Sequence, residues 1–241
     1  MWTDQLIAHA KQPWQAAHAH PFVLALGSHR LERDCFRYFV RQDAVYLLDF
    51  SRVLAMGAVR SEARSDERLF LAHAETVHVV EASLHQDLAP RLGIAPDELA
   101  KTPPGLITVA YTDHLMRTAW TEPLPVLVAA LLPCYVLYRE VGLVLRKETP
   151  SQPVPEYAEW IETYSGEPYG RAVEEMTTLA NRLGSQLTPS IAARAARAHW
   201  RSVRYEWLFW QQAWTKGNPL GLSELEEEPT PMGDASFIST P

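Results

Sequence analysis

Apolar side chains recur along this chain at the three-and-four spacing of a helix face, and nowhere do they alternate in a sustained period of two between hairpin turns. That pattern predicts an all-α protein. Residues 3–17 read as one short amphipathic helix with Thr3 as N-cap, closed by His20-Pro21 because a residue before proline disfavours helical backbone. Phe22 to Leu26 starts a second helix. After the Gly27 break, Asp34 is placed to cap a long helix to about Val59, with Phe36, Phe39, Val40, Leu47, Phe50 and Leu54 on its apolar side. A further helix is expected from Asp66 to Leu92, ended by Gly93. The connector Ile94 to Gly105, broken by Pro96, Pro103 and Pro104, has room for one turn at Asp97-Glu98, and Leu106 to Trp120 is helical.

The most apolar stretch runs from Val126 to Leu145. It is about as long as a membrane span, but Pro133, Tyr138, Arg139 and Glu140 interrupt it, so it reads as a buried central helix. Pro133 removes one N–H and crowds the carbonyl of Ala129, which predicts a kink there. Beyond the proline-rich turn 149–155 come a short helix through Glu156, Trp160 and Tyr164, a Ser165-Gly166 stop, and a helix over 168–184. Thr188-Pro189 is the start signal of a last long helix to about Thr215. With no internal linker, residues 1–216 read as a single helical domain, a bundle around a pocket. Glycine, proline and the acidic run Glu224 to Glu228 mark 217–241 as a partly ordered tail.

Composition fits a globular interior of some size: 47% of residues are apolar, 21% are charged, and eight are tryptophan. The net charge of -7 argues against a nucleic-acid or anionic-membrane partner, which leaves a neutral or cationic small molecule. Met1 to Leu6 has no basic segment followed by a long apolar stretch, so the protein is expected in the cytoplasm. Cys35 and Cys134 are expected as free thiols.

A carboxylate-bridged di-iron bundle needs two Glu-x-x-His pairs, and this chain offers one, Glu75 with His78, on a helix that also carries His73, Glu81 and His85. A di-iron oxygenase is therefore a competing reading; haem ligation by His18, His20 or His85 has less behind it. Glycine-rich phosphate loops, Cys-x-x-Cys pairs and Gly-x-Ser-x-Gly elbows are absent. What remains is Cys134, a nucleophile if its surroundings let it ionise and an inert core thiol otherwise. Glu206, between Tyr205 and Trp207, is either a surface carboxylate or a buried acid with a raised pKa. Asp43 and Tyr46, three apart, share a helix face. Taken alone, Asp43 is equally a buried polar contact, and Tyr46, Tyr111, Tyr164 and Phe209 are core aromatics.

Several segments in order nevertheless match one family. They are His20-Pro21-Phe22-Val23, Tyr38 to Asp43 with Tyr46-Leu47, Ala110 to His114, Ala129 to Tyr135 with Tyr138, Glu140, Val141 and Gly142, Trp160 to Tyr164, and Tyr205-Glu206 with Phe209-Trp210. Over residues 2–216 the chain resembles the TenA, or thiaminase II, family of the haem-oxygenase-like helical fold. The resemblance implies an aminopyrimidine aminohydrolase that converts 4-amino-5-aminomethyl-2-methylpyrimidine, a thiamin breakdown product, to the hydroxymethyl pyrimidine and can cleave thiamin. It implies Cys134 as the nucleophile that adds to the ring, Glu206 as the acid at a ring nitrogen, and Asp43 as the partner of the ring amino group. Tyr46, Tyr111, Tyr138, Tyr164 and Phe209 would line the pocket. No metal or organic cofactor is implied, and relatives suggest a homotetramer. Val45 stands where an aromatic is common, and Ser165 replaces a glycine; Cys134 places the chain with the family's cysteine branch. A non-catalytic pyrimidine binder is the remaining alternative.

Overall fold

The computed structural model of the chain describes residues 1–83 and 87–218, without the side chains of 80–83. Its helices are α1 (Trp2–His9), α2 (Lys11–His18), α3 (Pro21–Gly27), α4 (Arg33–Val59), α5 (Arg64–Ser83), α6 (Ala89–Arg91), α7 (Pro96–Ala100), α8 (Leu106–Thr121), α9 (Leu124–Glu148), α10 (Pro155–Ser165), α11 (Glu167–Gly184) and α12 (Pro189–Trp214). No strand occurs among the described residues, so the all-α expectation holds.

The apolar run becomes α9, the axis of the bundle. It packs against α12, α10, α11 and α8, while α4 runs beside α5 and α8. From Val126 to Leu132 every residue is buried, as are Leu137, Val141 and Leu145 further along the same helix. Length and hydropathy alone would let α9 cross a membrane, but 72% of its apolar window lies inside the protein. It is a core helix that continues unbroken through Pro133. Having no N–H, Pro133 leaves the carbonyl of Ala129 without its usual helical donor. Close approach is set by Gly142: a Cβ there would lie 2.9 Å from the backbone nitrogen of Ser165 and from the carbonyl carbon of Tyr164, so only glycine lets α10 sit this near.

Three local expectations need correction. Residues 3–17 form two helices that bend at the buried Ala10, which closes α1 with φ -96° and ψ 18°. The bend lets α1 rest on α11, where the Trp2 ring covers Gly184, and α2 rest on α12. Thr3 is not the cap; it is buried, and its N–H and hydroxyl both donate to Oδ1 of Asn181 at 3.0 and 3.2 Å. The cap position of α4 is Glu32, in extended backbone, which leaves Asp34 in the first turn, where a negative charge favours the helix dipole. The segment expected as one helix from Asp66 to Leu92 is helical over Arg64–Ser83 and again over 87–91, where α6 ends it, and residues 84–86 between them lie outside the described residues. Pro90 within α6 cannot donate a helical hydrogen bond, and Gly93 closes the turn at φ +73° with its N–H on the Pro90 carbonyl at 2.9 Å.

The other predicted elements stand as read. Thr188 caps α12 with its hydroxyl oxygen accepting from the Ile191 N–H at 3.4 Å, and Pro189 opens that helix. The tail beyond Asn218 lies outside the described residues.

Candidate functional site

Five helices bring the sequence-predicted residues to the middle of the bundle: Asp43 and Tyr46 from α4, Tyr111 from α8, Cys134 and Tyr138 from α9, Tyr164 from α10, and Glu206 and Phe209 from α12. Asp43 and Tyr46 share the inward face of α4 at 5% and 4% exposure. Glu206 is 1% exposed. It is no surface carboxylate.

The Tyr111 hydroxyl donates to Oε1 of Glu206 at 2.6 Å, a short bond to a buried acid. Burial pushes the Glu206 carboxyl up to about 8; the Tyr111 hydroxyl opposes the rise, the charge of Asp43 adds to it, and Tyr138 again opposes it. At neutral pH this group holds its proton and can give it away. Burial also pushes the Cys134 thiol up, as do the charges of Glu206 and Asp43, with the Tyr46 hydroxyl acting the other way. Cys134 still keeps part of its surface accessible, unlike the seven residues from Val126 to Leu132 before it on α9.

Aromatic rings surround these groups. The Tyr46 ring lies 5.1 Å from Tyr111 and 5.7 Å from Phe209, centroid to centroid. On the α9–α10 side, Tyr138 is 4.9 Å from Tyr164, and Trp160 is 4.5 Å from Tyr164. The Trp160 ring N–H and the Ser165 hydroxyl are buried with no hydrogen-bond partner among the described residues, while the Tyr46 hydroxyl lies beside the Cys134 thiol and the Tyr111 hydroxyl. Orphaned polar atoms are costly to bury, and a ligand with matching donors and acceptors would satisfy them.

Residues around these were missed by sequence reasoning. Tyr169 donates to the carbonyl of Cys134 at 2.6 Å and packs edge-on against Tyr164. Arg139 donates to the carbonyls of Tyr164 and Gly166 at 3.2 and 2.7 Å, which ties the end of α10 to α9. Beside Asp43, Gln42 accepts from the Gly105 N–H and the Thr108 hydroxyl at 2.8 and 2.6 Å and donates to the Pro103 carbonyl at 3.0 Å. It fixes the α4 face against the connector that leads into α8. The one available signal was that Gln42 sits inside an otherwise apolar helix face.

The histidine-rich helix has other uses than a metal cluster. His73 is buried and bridges the Tyr135 hydroxyl at 3.0 Å to Glu175 at 2.9 Å. Glu75 and His78 lie on the exposed face of α5, while His85 and the Glu81 side chain lie outside the described residues. Among the described residues no three His, Cys, Asp or Glu side chains converge as a metal set would. Of the weighed haem ligands, His18 contacts the Trp14 carbonyl and Glu140, and His20 caps α3 by accepting from Phe22 N–H while meeting Gln211 at 3.0 Å. Cys35 is buried, with its sulfur on the Trp214 carbonyl at 3.4 Å.

Comparison with known proteins identifies the arrangement. A sequence profile of the TENA/THI-4/PQQC family matches residues 7–216. The chain belongs to this family. An aminopyrimidine aminohydrolase from Bacillus subtilis is 31% identical over 94% of this chain and 96% of its own length, and one from Halalkalibacterium halodurans is 30% identical over 88% and 94%. Among solved structures, a TenA homologue from P. horikoshii superposes with a TM-score of 0.83 at 28% identity, covering 90% of this chain and all of its own. A haem-oxygenase-like domain of unknown function from Shewanella denitrificans, at 12% identity, superposes with a TM-score of 0.74 over 94% of this chain and 96% of its own, and so shares the fold alone. The TenA bundle thus has the haem-oxygenase-like architecture expected from the sequence.

Proposed function

We propose that this TenA-family chain is an aminopyrimidine aminohydrolase that converts 4-amino-5-aminomethyl-2-methylpyrimidine and water to the hydroxymethyl pyrimidine and ammonia, with Cys134 as nucleophile. The observation that carries the reading is the pairing of a proton-holding, fully buried Glu206, its carboxyl near 8, with the partly accessible Cys134 thiol inside one aromatic enclosure. Relatives that bear this activity in their names match nearly the whole chain.

The groups present suit each step. A flat pyrimidine slides between the rings of Tyr46, Tyr111, Tyr138, Tyr164 and Phe209, which offer apolar faces and few polar handles. Asp43 takes hydrogen bonds from the ring amino group. The Cys134 sulfur then adds to the ring carbon beside the nitrogen that Glu206 protonates, so the electron pair displaced by sulfur ends in a new N–H bond. With aromaticity broken, the enamine expels ammonia from the exocyclic methylene, the aminomethyl group leaving in its protonated, ammonium form. Water adds to that methylene and gives its proton to the released ammonia; Glu206 takes back the ring-nitrogen proton, the sulfur departs and regains a proton, and the ring is restored. Covalent addition divides one hard substitution into easier steps, and positioned acid–base assistance is worth about 10²–10⁴-fold.

Burial makes the thiol a reluctant anion, so addition has to be coupled to proton movement. A thiol proton passed through Glu206 to the ring keeps every intermediate close to neutral in this apolar enclosure. The same addition would serve thiamin, with the thiazole as leaving group. The reading includes a homotetramer in the cytoplasm. Exposed apolar side chains on the neighbouring helices α4 and α8, among them Leu48, Val59, Leu106 and Trp120, support association, and two free cysteines suit a reducing compartment.

The test is ammonia release from the aminomethyl pyrimidine by wild-type and Cys134→Ala proteins of equal thermal stability. Activity in the wild type and its loss in the variant is expected. Equal rates would remove the nucleophile, and ligand binding without turnover in either protein would make the chain a binder instead.

A further inference from the structure

A second cleft lies between α8 and α12, on the far side of Tyr205 from the aromatic enclosure. Two adjoining cavities of about 320 and 260 Å³ share His114, Arg117, Thr118, Glu122 and Arg201 as walls; Arg194 and Arg197 also line the second. Arg194, Arg197 and Arg201 follow one another at spacings of three and four, so they form a stripe along one face of α12, and Arg117 meets it from α8.

Arg194 is paired with Glu122. Among the described residues, the guanidinium groups of Arg117, Arg197 and Arg201 have no hydrogen bond or ion pair. The next arginine on α12, Arg204, is engaged elsewhere, its guanidinium 4.8 Å from the centre of the Trp200 ring. In a chain of net charge -7, unpaired guanidinium groups around one cleft reverse the local sign, and like charges one helix turn apart repel each other. His114 adds no charge to the repulsion: it meets the Ser202 hydroxyl at 3.2 Å, and burial, reinforced by the fields of Arg201 and Arg117, pushes it down to about 4.

A bound anion would relieve both features. Guanidinium groups present planar forks that match phosphate oxygens two at a time, with geometry that a chloride cannot exploit. The cavities have room for one or two phosphate groups and a small organic part, and too few cations surround them for a long polyanion. We propose that this cleft is a binding site for a phosphate-bearing small molecule, held by Arg117, Arg197 and Arg201. Such a ligand would touch Tyr205, whose ring stacks on Tyr111 at 5.3 Å, and Tyr111 is the donor to Glu206. The cleft is therefore in mechanical contact with the acid of the central site.

Calorimetric titration of the full-length protein with pyrophosphate at physiological ionic strength tests the proposal, with the Arg197→Gln/Arg201→Gln double variant beside it. Both arginines are exposed, so the variant is expected to melt with the wild type. The expected result is saturable binding at one site per chain, weakened about tenfold or more in the variant, with pyrophosphate shifting the His114 ring signals in the NMR spectrum of the wild type. No saturable binding, or equal binding by both proteins, would overturn it. A smaller oligomer formed by the double variant would assign the arginines to a contact between copies, and tighter binding of a single-stranded oligonucleotide than of pyrophosphate would assign them to a macromolecular partner; either result refutes the small-anion site.

Discussion

Replacing Glu206 by glutamine should make the protein more stable, and more so as the pH rises. The buried carboxyl has its pKa moved from the ordinary 4.5 to about 8. Between those values the unfolded chain releases this proton while the folded chain keeps it, so the unfolded state gains about 1.4 kcal/mol per pH unit. A group whose folded pKa is raised contributes its full stability below the unfolded pKa and loses it as the pH climbs through the folded one. The wild type is thus penalised by about 3 kcal/mol on going from pH 4.5 to pH 7, and the penalty levels off at about 5 kcal/mol above pH 8. Glutamine has the same shape and no proton to lose; all other titrating groups are common to both proteins and cancel in the difference. Urea unfolding of both proteins from pH 5 to pH 9 measures it. The account expects the stability gap to widen steadily and then flatten above pH 8, while turnover is lost in the variant. Parallel stability curves across this range would show that the Glu206 pKa is not raised, and the acid role would go with it.

Tyr111→Phe removes the hydroxyl that pulls the Glu206 carboxyl down, so the alkaline limb of the kcat profile should move above pH 8 as kcat falls about tenfold; an unchanged limb would show that Tyr111 does not tune the acid. Gly142→Ala drives a Cβ against the backbone of α10 and should cost about 1–3 kcal/mol in thermal or urea unfolding, with KM raised through displacement of Tyr164. Arg139→Met frees the carbonyls at the end of α10 and should raise KM more than it lowers kcat, and a change in kcat alone would contradict that positioning role.

Most of the fold was legible because helical periodicity and punctuation agreed. Thr188-Pro189, Gly166 and the Gly105-Leu106 boundary all fall at helix ends. Where reading failed, tertiary packing outweighed local preference. Nothing at Ala10 signals a bend, since alanine favours helix; both α1 and α2 pack on α12, and the bend lets α1 reach α11 as well while α2 turns toward α9. Thr3 looked like a cap because threonine caps helices, yet Asn181, distant in sequence, claims its donors.

The site was legible only in part for a similar reason. Periodicity placed Asp43 with Tyr46 on one face, but nothing local says that α4, α8, α9, α10 and α12 converge; the motif resemblance supplied that. Glu206 illustrates the limit. By sequence it was as much a surface carboxylate as an acid, and only its burial and the Tyr111 bond distinguish the two. Tyr169 and Arg139 were invisible because their contacts are to main-chain carbonyls, which leave no trace in side-chain patterns.

The most direct measurement of the central claim follows oxygen. The aminomethyl pyrimidine is incubated with the wild-type protein in ¹⁸O-labelled water and the products are resolved by mass spectrometry. The account predicts ammonia in equal amount with a hydroxymethyl pyrimidine that carries one ¹⁸O on the exocyclic methylene and retains the ring amino group, and no product with Cys134→Ala. Label on the ring with loss of the ring amino group, or no consumption of the pyrimidine by the wild type, would contradict it.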